Sequence, residues 1–174
     1  MDRNYKEILN DITTFVFDVD GVLTNGSVLV SSEGELLRSM NVKDGYAMKK
    51  AIKNGYTVCI ISGGKNEGVR KRLRGLGITD IHLGVEDKVE CLDEFFDIYE
   101  IDAKNVAYMG DDIPDIFPMK MIGLPSCPQD AVSEVKAISN YISHKNGGEG
   151  CVRDLIEQVM KVQGKWENEV MSNE

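Results

Sequence analysis

The chain has 174 residues, enough for one domain with a substantial core, and a formal net charge of −9. That charge argues against a nucleic-acid binder, which needs a basic face to meet phosphate, but it permits a local basic pocket for a small anion. No apolar run approaches the length of a membrane span, and the polar start Met1-Asp2-Arg3-Asn4 lacks a signal-peptide pattern, so a cytoplasmic protein with no membrane partner is expected.

In chain order, the first strong pattern is the apolar run Thr14 to Phe17 followed by Asp18-Val19-Asp20-Gly21. A short apolar run closed by a turn signal predicts a buried strand, with Asp18 at its C-terminal end and Asp20 in the loop. Two carboxylates there need a charge partner, and a hard divalent ion such as Mg²⁺ is the simplest one. Taken alone, the stretch fits a solvated acidic turn equally well. A helix-loop-helix calcium site does not fit, because its twelfth position would be Leu29 rather than glutamate.

Strand-like runs at 26–31 and 35–40 flank Ser32-Glu33-Gly34 and predict a β-hairpin, placed where a flap could cover a site. A helix over about 45–54 follows, with Asp44 as its expected cap and Gly55 at its end. Thr57 to Ile61 is a second buried strand and stops at Ser62-Gly63-Gly64. The next helix carries Val69, Leu73 and Leu76 on one face among Arg70, Lys71, Arg72 and Arg74. Ile81-His82-Leu83 is a short strand, and Val89, Leu92, Phe95, Phe96 and Tyr99 recur at helical spacing as core between Glu86 and Glu100.

Asn105 to Met109 predicts a fourth buried strand, again ending in acids, Gly110-Asp111-Asp112-Ile113-Pro114-Asp115. A short strand near 121–124, a helix opened by Pro128 and a small strand at Tyr141-Ile142 follow. Gly147-Gly148-Glu149-Gly150 reads as a flexible loop, and Val152, Leu155, Ile156 and Val159 mark a terminal helix. The chain is expected to form one domain over 1–164 with a polar tail at 165–174; from Gln163 on, Trp166 included, the end is expected to fray or to dock on another subunit. Cys59, Cys91, Cys127 and Cys151 form no Cys-x-x-Cys pair and read as reduced thiols, and the isolated His82 and His144 read as structural.

Strands alternating with helices predict an α/β fold, a Rossmann-like doubly wound parallel sheet covered on both faces, with the hairpin flap after the first strand and no cap domain. In such sheets the ligand lies off the C-terminal strand ends. Three strands end there in polar residues, Asp18/Asp20, Ser62 and Asp111/Asp112, and Lys88 enters at the start of the helix after another.

These elements, in this order, resemble the capless branch of the haloacid dehalogenase superfamily, whose four motifs match Asp18-x-Asp20-Gly, Ser62, Lys88 and Gly110-Asp111-Asp112-x-x-Asp115. The resemblance covers nearly the whole chain and implies a Mg²⁺-dependent phosphatase. It implies Asp18 as the nucleophile that forms an aspartyl-phosphate and Asp20 as general acid and then base. It also implies metal binding by Asp18, the backbone carbonyl of Asp20 and Asp111, supported by Asp112 and Asp115. Ser62, Gly63 and Lys88 are implied as phosphate-binding. A capless site would be covered by neighbouring subunits, which implies a homotetramer, with the hairpin, the 147–150 loop and the tail as candidate covers.

Within that superfamily the chain is similar to the 3-deoxy-D-manno-octulosonate 8-phosphate phosphatases through Asp-Val-Asp-Gly-Val-Leu-Thr-Asn-Gly (18–26), Asn-Val-Lys-Asp-Gly (41–45), Gly-Val-Glu-Asp-Lys (84–88) and Gly-Gly-Glu-Gly-Cys-Val-Arg (147–153). This implies a small sugar-acid phosphate as substrate and a role in lipopolysaccharide precursor synthesis. Many members carry Gly-Arg after the serine, where this chain has Gly63-Gly64-Lys65. Lys65, Arg70, Arg72 and Lys43 are the candidates to read the substrate carboxylate instead. Relatives acting on the nine-carbon analogue carry Glu and Lys at slots that are Gly64 and Gly75 here, which favours the eight-carbon acid. The alternatives are a phosphatase for the nine-carbon ester or for general sugar phosphates, or a non-catalytic oligomerisation domain of the kind fused to nucleotide-sugar synthetases.

Overall fold

Alternate residues of the first strand face opposite helical layers, and this organises the molecule. The computed structural model describes residues 4–167. Its strands are β1 (Thr14–Phe17), β2 (Leu29–Val30), β3 (Leu36–Leu37), β4 (Thr57–Ser62), β5 (Asp80–Leu83), β6 (Val106–Met109), β7 (Leu124–Cys127) and β8 (Tyr141–Ile142). Its helices are α1 (Tyr5–Ile8), α2 (Val42–Lys53), α3 (Glu67–Gly75), α4 (Lys88–Tyr99), α5 (Ile116–Met119), α6 (Ser133–Ile138) and α7 (Cys151–Val162).

Six strands form one sheet in the order β5-β4-β1-β6-β7-β8, with every neighbouring pair parallel. Because β1 is central and buried at all four positions, it reads as a continuous apolar run rather than an alternating one. Phe15 and Phe17 point into a core shared with Met48 of α2 and Leu155, Ile156 and Val159 of α7. Val16 points the other way, into a core with Leu92, Phe95 and Phe96 of α4 and Tyr108 of β6. A fully buried side chain of this size contributes about 1.5–3 kcal/mol. The chain proceeds from β1 outward through β4 and β5, then crosses to the other side of β1 with β6. The C-terminal ends of β1 and β6 therefore flank the point where the winding reverses, the usual ligand position in such sheets.

Several expectations shift. The hairpin strands are two residues each, shorter than the runs that predicted them. Helix α2 starts at Val42, and its cap is Asn41, whose side chain accepts from the Lys43 and Asp44 N–H groups. Asp44 does not cap α2; it is buried inside the helix and accepts the Arg153 N–H at 2.9 Å, at the start of α7. The strand expected near 121–124 begins only at Leu124, and the helix expected at Pro128 begins at Ser133.

The 147–150 segment is packed rather than loose. Gly148 N–H donates to the Val22 carbonyl at 2.9 Å and Gly147 N–H to Asp130 Oδ1 at 2.9 Å. A Cβ at Gly147 would fall 1.9 Å from the Gly21 carbonyl oxygen, so the glycine is what allows the approach. Gln163 is also tied down: it donates to the Leu9 and Ile12 carbonyls at 2.8 Å each and accepts from the Tyr56 hydroxyl at 2.6 Å. Trp166 packs edge-on against Tyr46, with the Arg153 guanidinium 5.4 Å from its ring. The chain end thus docks on its own domain up to that point, and the rest of the expected tail, 168–174, lies outside the described residues.

Candidate active site

β1 delivers Asp18 to the sheet edge, and a wide turn over Val19–Leu23 follows, closed by the Thr24 N–H on the Val19 carbonyl at 3.1 Å. Gly21 takes φ +85° in that turn, and the Thr24 hydroxyl oxygen accepts from the Gly21 and Gly26 N–H groups. β6 delivers Asp111 beside it. The approach depends on Gly21, since a Cβ there would lie 1.8 Å from Asp111 Oδ2.

Asp18, Asp111 and Asp115 each place a carboxylate oxygen within 4.8 Å of the others. Lys88, the first residue of α4, reaches in with Nζ 3.2 Å from Asp18 Oδ2 and 2.7 Å from Asp115 Oδ1. Asp18 Oδ1 accepts the Val19 N–H at 2.7 Å. Burial, then the Asp115 charge, pushes the Asp18 carboxyl up to about 7 against the pull of Lys88. Burial, followed by Asp18, Asp115 and Asp112, pushes Asp111 up to about 8. Burial works against the Lys88 ammonium, but Asp18 and Asp115 outweigh it and raise its affinity for the proton.

The three carboxylates are not equivalent. Asp115 is saturated: Lys88 and the Tyr108 hydroxyl, at 2.9 Å, donate to Oδ1, and the Asp111 N–H donates to Oδ2 at 3.1 Å. Asp111 Oδ1 is buried and has no hydrogen-bond partner among the described residues. An orphaned buried carboxylate oxygen facing a second carboxylate, with one ammonium for three acids, fits a hard divalent cation in chemistry and in charge. Asp112 is more exposed, and its carboxylate accepts the Ile113 N–H at 2.7 Å, holding the turn that carries Asp115.

Ser62 ends β4, is buried, and accepts the Gly64 N–H at 3.3 Å, which leaves its hydroxyl proton for another acceptor. Ser62, Gly63, Lys88, Asp18, Asp20, Asp111, Asp112 and Asp115 all line one cavity of about 550 Å³. Val85, Pro114, Pro118 and the exposed Phe117 add apolar lining, and the exposed Glu86 and Asp87 add charged lining.

The four basic candidates lie elsewhere. The Lys65 stem packs against Gly84, and Arg70 donates to the Ile81 carbonyl at 3.0 Å and to Glu67. Arg72 lines a separate cavity with Leu37 and Asn66, and Lys43 lines another with His144 and Arg153. Among the described residues lining the acidic cavity, Lys88 is the one cation. Two residues that the sequence did not single out belong to the site. Tyr108 hides in a buried apolar strand, and only its hydroxyl distinguishes it. Arg38, at the end of the hairpin, donates from Nε to Asp20 Oδ1 at 2.6 Å and from Nη2 to Asp20 Oδ2 at 3.1 Å. No local signal links residues eighteen positions apart.

No family model matches the chain. Among known proteins it is 34% identical over 155 residues to the 3-deoxy-D-manno-octulosonate 8-phosphate phosphatase of Escherichia coli, covering 89% of this chain and 82% of that one. The same phosphatase of Yersinia pestis is 32% identical over 157 residues, covering 90% and 84%. Among solved structures, the Moraxella catarrhalis 3-deoxy-D-manno-octulosonate 8-phosphate phosphatase, in complex with magnesium ion, phosphate ion and KDO, superposes with a TM-score of 0.92 at 30% identity over 97% of both chains. The cobalt-bound Haemophilus influenzae enzyme gives a TM-score of 0.87 at 30% identity, covering 91% of this chain and 92% of that one.

Proposed function

Since this chain belongs to the 3-deoxy-D-manno-octulosonate 8-phosphate phosphatase family of the haloacid dehalogenase superfamily, we propose that it hydrolyses that sugar-acid phosphate with Mg²⁺, and that Asp18 and Asp20 carry the chemistry. The observation that carries this reading is the convergence of Asp18, Asp111, Asp115, Lys88 and Ser62 on one cavity at the switch point of the sheet.

An oxygen of Asp18 attacks phosphorus while the bond to the sugar oxygen breaks, and the leaving oxygen takes the Asp20 proton. Asp20, now ionised, removes a proton from the water that attacks the aspartyl-phosphate, and phosphate departs. The Val19 N–H orients Asp18, while Ser62, the Gly63 backbone and Lys88 donate to phosphoryl oxygens, where charge is spread in the transition state. Asp18, the Asp20 carbonyl and Asp111 would hold Mg²⁺, which when bound neutralises the repulsion between carboxylate and phosphate. Asp115, saturated by Lys88, Tyr108 and backbone N–H groups, holds Lys88 in place, and Asp112 shapes the turn.

We propose further that the working unit is a homotetramer in which neighbouring subunits complete the site. Two observations support this. The hairpin exposes Leu29, Val30, Leu36 and Leu37 together, and among the described residues lining the cavity Lys88 is the one cation, with the nearby Arg38 engaged by Asp20. Arg72 and Lys43, which line the neighbouring cavities, are candidates to reach the site of an adjacent subunit. The setting proposed is cytoplasmic, in lipopolysaccharide precursor synthesis; among the described residues no helix is long and apolar enough to cross a membrane.

Steady-state phosphate release with Mg²⁺ tests the function. A large preference in kcat/KM for the eight-carbon ester over the nine-carbon ester and plain sugar phosphates is expected, and equal slow turnover of all of them would overturn the substrate. Asp18→Asn should abolish turnover while the protein stays folded.

A further inference from the structure

Asp20 stands in a loop with its side chain 39% exposed, and a half-exposed carboxylate with two rotatable bonds has no orientation of its own. Proton transfer to a leaving oxygen needs one. Among the described residues, the side chain that supplies it is Arg38. Its Nε and Nη2 meet the two Asp20 oxygens as a fork, 2.6 and 3.1 Å away. The fork is itself held: the Arg38 side chain is 7% exposed, its Nη1 donates to the Leu36 carbonyl at 3.0 Å, and Asn66 Nδ2 donates to that same carbonyl at 2.8 Å.

The sequence makes room for this fork. A Cβ on Gly64 would lie 3.2 Å from Arg38 Nη2 and 3.3 Å from Asp20 Oδ2, so a Cβ at 64 would press on the pair and its absence leaves the fork unstrained. The residue that ends the hairpin and the residue that lacks a side chain are thus two parts of one arrangement around Asp20.

We propose that Arg38 is a positioning residue for Asp20, fixing the plane of its carboxyl group so that the proton it carries points at the leaving oxygen. This rests on the reading of Asp20 as the general acid. A carboxylate oxygen has two lone-pair directions, so each Asp20 oxygen keeps one after accepting from Arg38. In the step concerned, an Asp18 oxygen bonds to phosphorus, the phosphorus–oxygen bond to the alcohol breaks with its electron pair on that oxygen, and the Asp20 proton moves there. Lysine would keep the positive charge but not the planar fork.

The test uses the leaving group, because an aryl oxide departs without a proton and an alkoxide does not. Arg38→Lys and Arg38→Met, checked for folding by circular dichroism, are compared with the parent in kcat/KM for a sugar phosphate and for p-nitrophenyl phosphate; this ratio reports steps up to departure of the alcohol. Both variants are expected to lose between about tenfold and a hundredfold on the sugar phosphate and less than about threefold on the aryl ester. Asp20→Asn should show the same leaving-group signature with a larger loss, and adding Arg38→Met to it should cost nothing further, since a group acting through Asp20 has nothing left to act on. Equal losses of the Arg38 variants on both esters, or an undiminished loss in the Asp20→Asn background, would overturn the proposal while leaving Asp20 as the acid. If Asp20→Asn itself showed no leaving-group signature, the acid assignment would fall, and the positioning role with it.

Discussion

Gly21 sets how closely the two acidic strand ends approach. Its φ of +85° is one that residues with a Cβ rarely adopt, and a Cβ would fall 1.8 Å from Asp111 Oδ2. Gly21→Ala is therefore expected to cost about 1–3 kcal/mol of stability and to displace Asp111, weakening Mg²⁺ binding with the fold retained. Isothermal titration with Mg²⁺ would show this, and unchanged affinity would mean that Asp111 is not where the metal is held. Asp111→Asn acts on the opposite side of the same balance. It removes one of three mutually repelling carboxylates, so the metal-free protein should gain about 1 kcal/mol in urea unfolding. The gain in thermal midpoint that Mg²⁺ gives the parent should vanish. At this scale, chemistry-bearing residues at strand ends were legible, because apolar runs that stop at acids are conspicuous. Arg38 and Tyr108 were not. Arg38 acts through a guanidinium fork on a partner eighteen positions away, and Tyr108 through one hydroxyl hidden in an apolar run, and periodicity carries no record of either.

Helices α2 and α7 pack on one face of the sheet, and Asp44 ties them together. Gly150 stands at the cap position of α7 without a side chain to cap it, and the Asp44 carboxylate of α2 meets the Arg153 N–H instead. An Asp-Gly pair near a helix start reads in sequence as that helix's own cap, which is why the sequence alone points Asp44 to α2. Burial pushes its carboxyl up to about 6 from the ordinary 3.8. The folded protein therefore holds the Asp44 proton more tightly than the unfolded chain. The contribution of this group to stability is highest below about 4 and is lost as pH rises toward about 6. Asp44→Asn should flatten the pH dependence of urea unfolding across that window, and a slope unchanged from the parent would show that other groups set it. The 147–150 loop departs from its expected flexibility for a similar reason. Clustered glycines signal flexibility when read alone, yet here they permit contact: Gly147 and Gly148 lie against the backbone of 21–25, and the Cys151 thiol meets the Val22 carbonyl at 3.2 Å. Gly147→Ala should cost about 1–3 kcal/mol and lower kcat, because the clash is with the turn that carries Asp20.

The whole molecule follows from strand order. Parallel winding that starts at the centre and reverses beside it brings the ends of β1, β4 and β6 to one edge, and buried apolar strands separated by helices were enough to anticipate this. The hairpin is a different case. Strands of two residues cannot hold themselves together in water, and among the described residues hydrogen bonds of Arg38 to Asp20 and of Asn66 to the Leu36 carbonyl help fasten β3 to the domain. Leu29 and Leu37 are cross-strand partners on one face, 69% and 46% exposed, and an apolar pair on so slight a support is stabilised when another surface covers it. That surface is expected to belong to a second copy of the chain, whose arrival would also enclose a cavity that one copy leaves open to water. If the proposed tetramer forms through this face, replacing Leu29 and Leu37 together by lysine should shift the protein toward smaller species in sedimentation velocity. Activity should fall more on the sugar-acid phosphate than on p-nitrophenyl phosphate, which needs no carboxylate recognition, and dilution of the parent should give the same ratio. A parent chain that sediments as a monomer at nanomolar concentration and keeps its full kcat/KM for the sugar acid would place the whole of substrate recognition within one subunit.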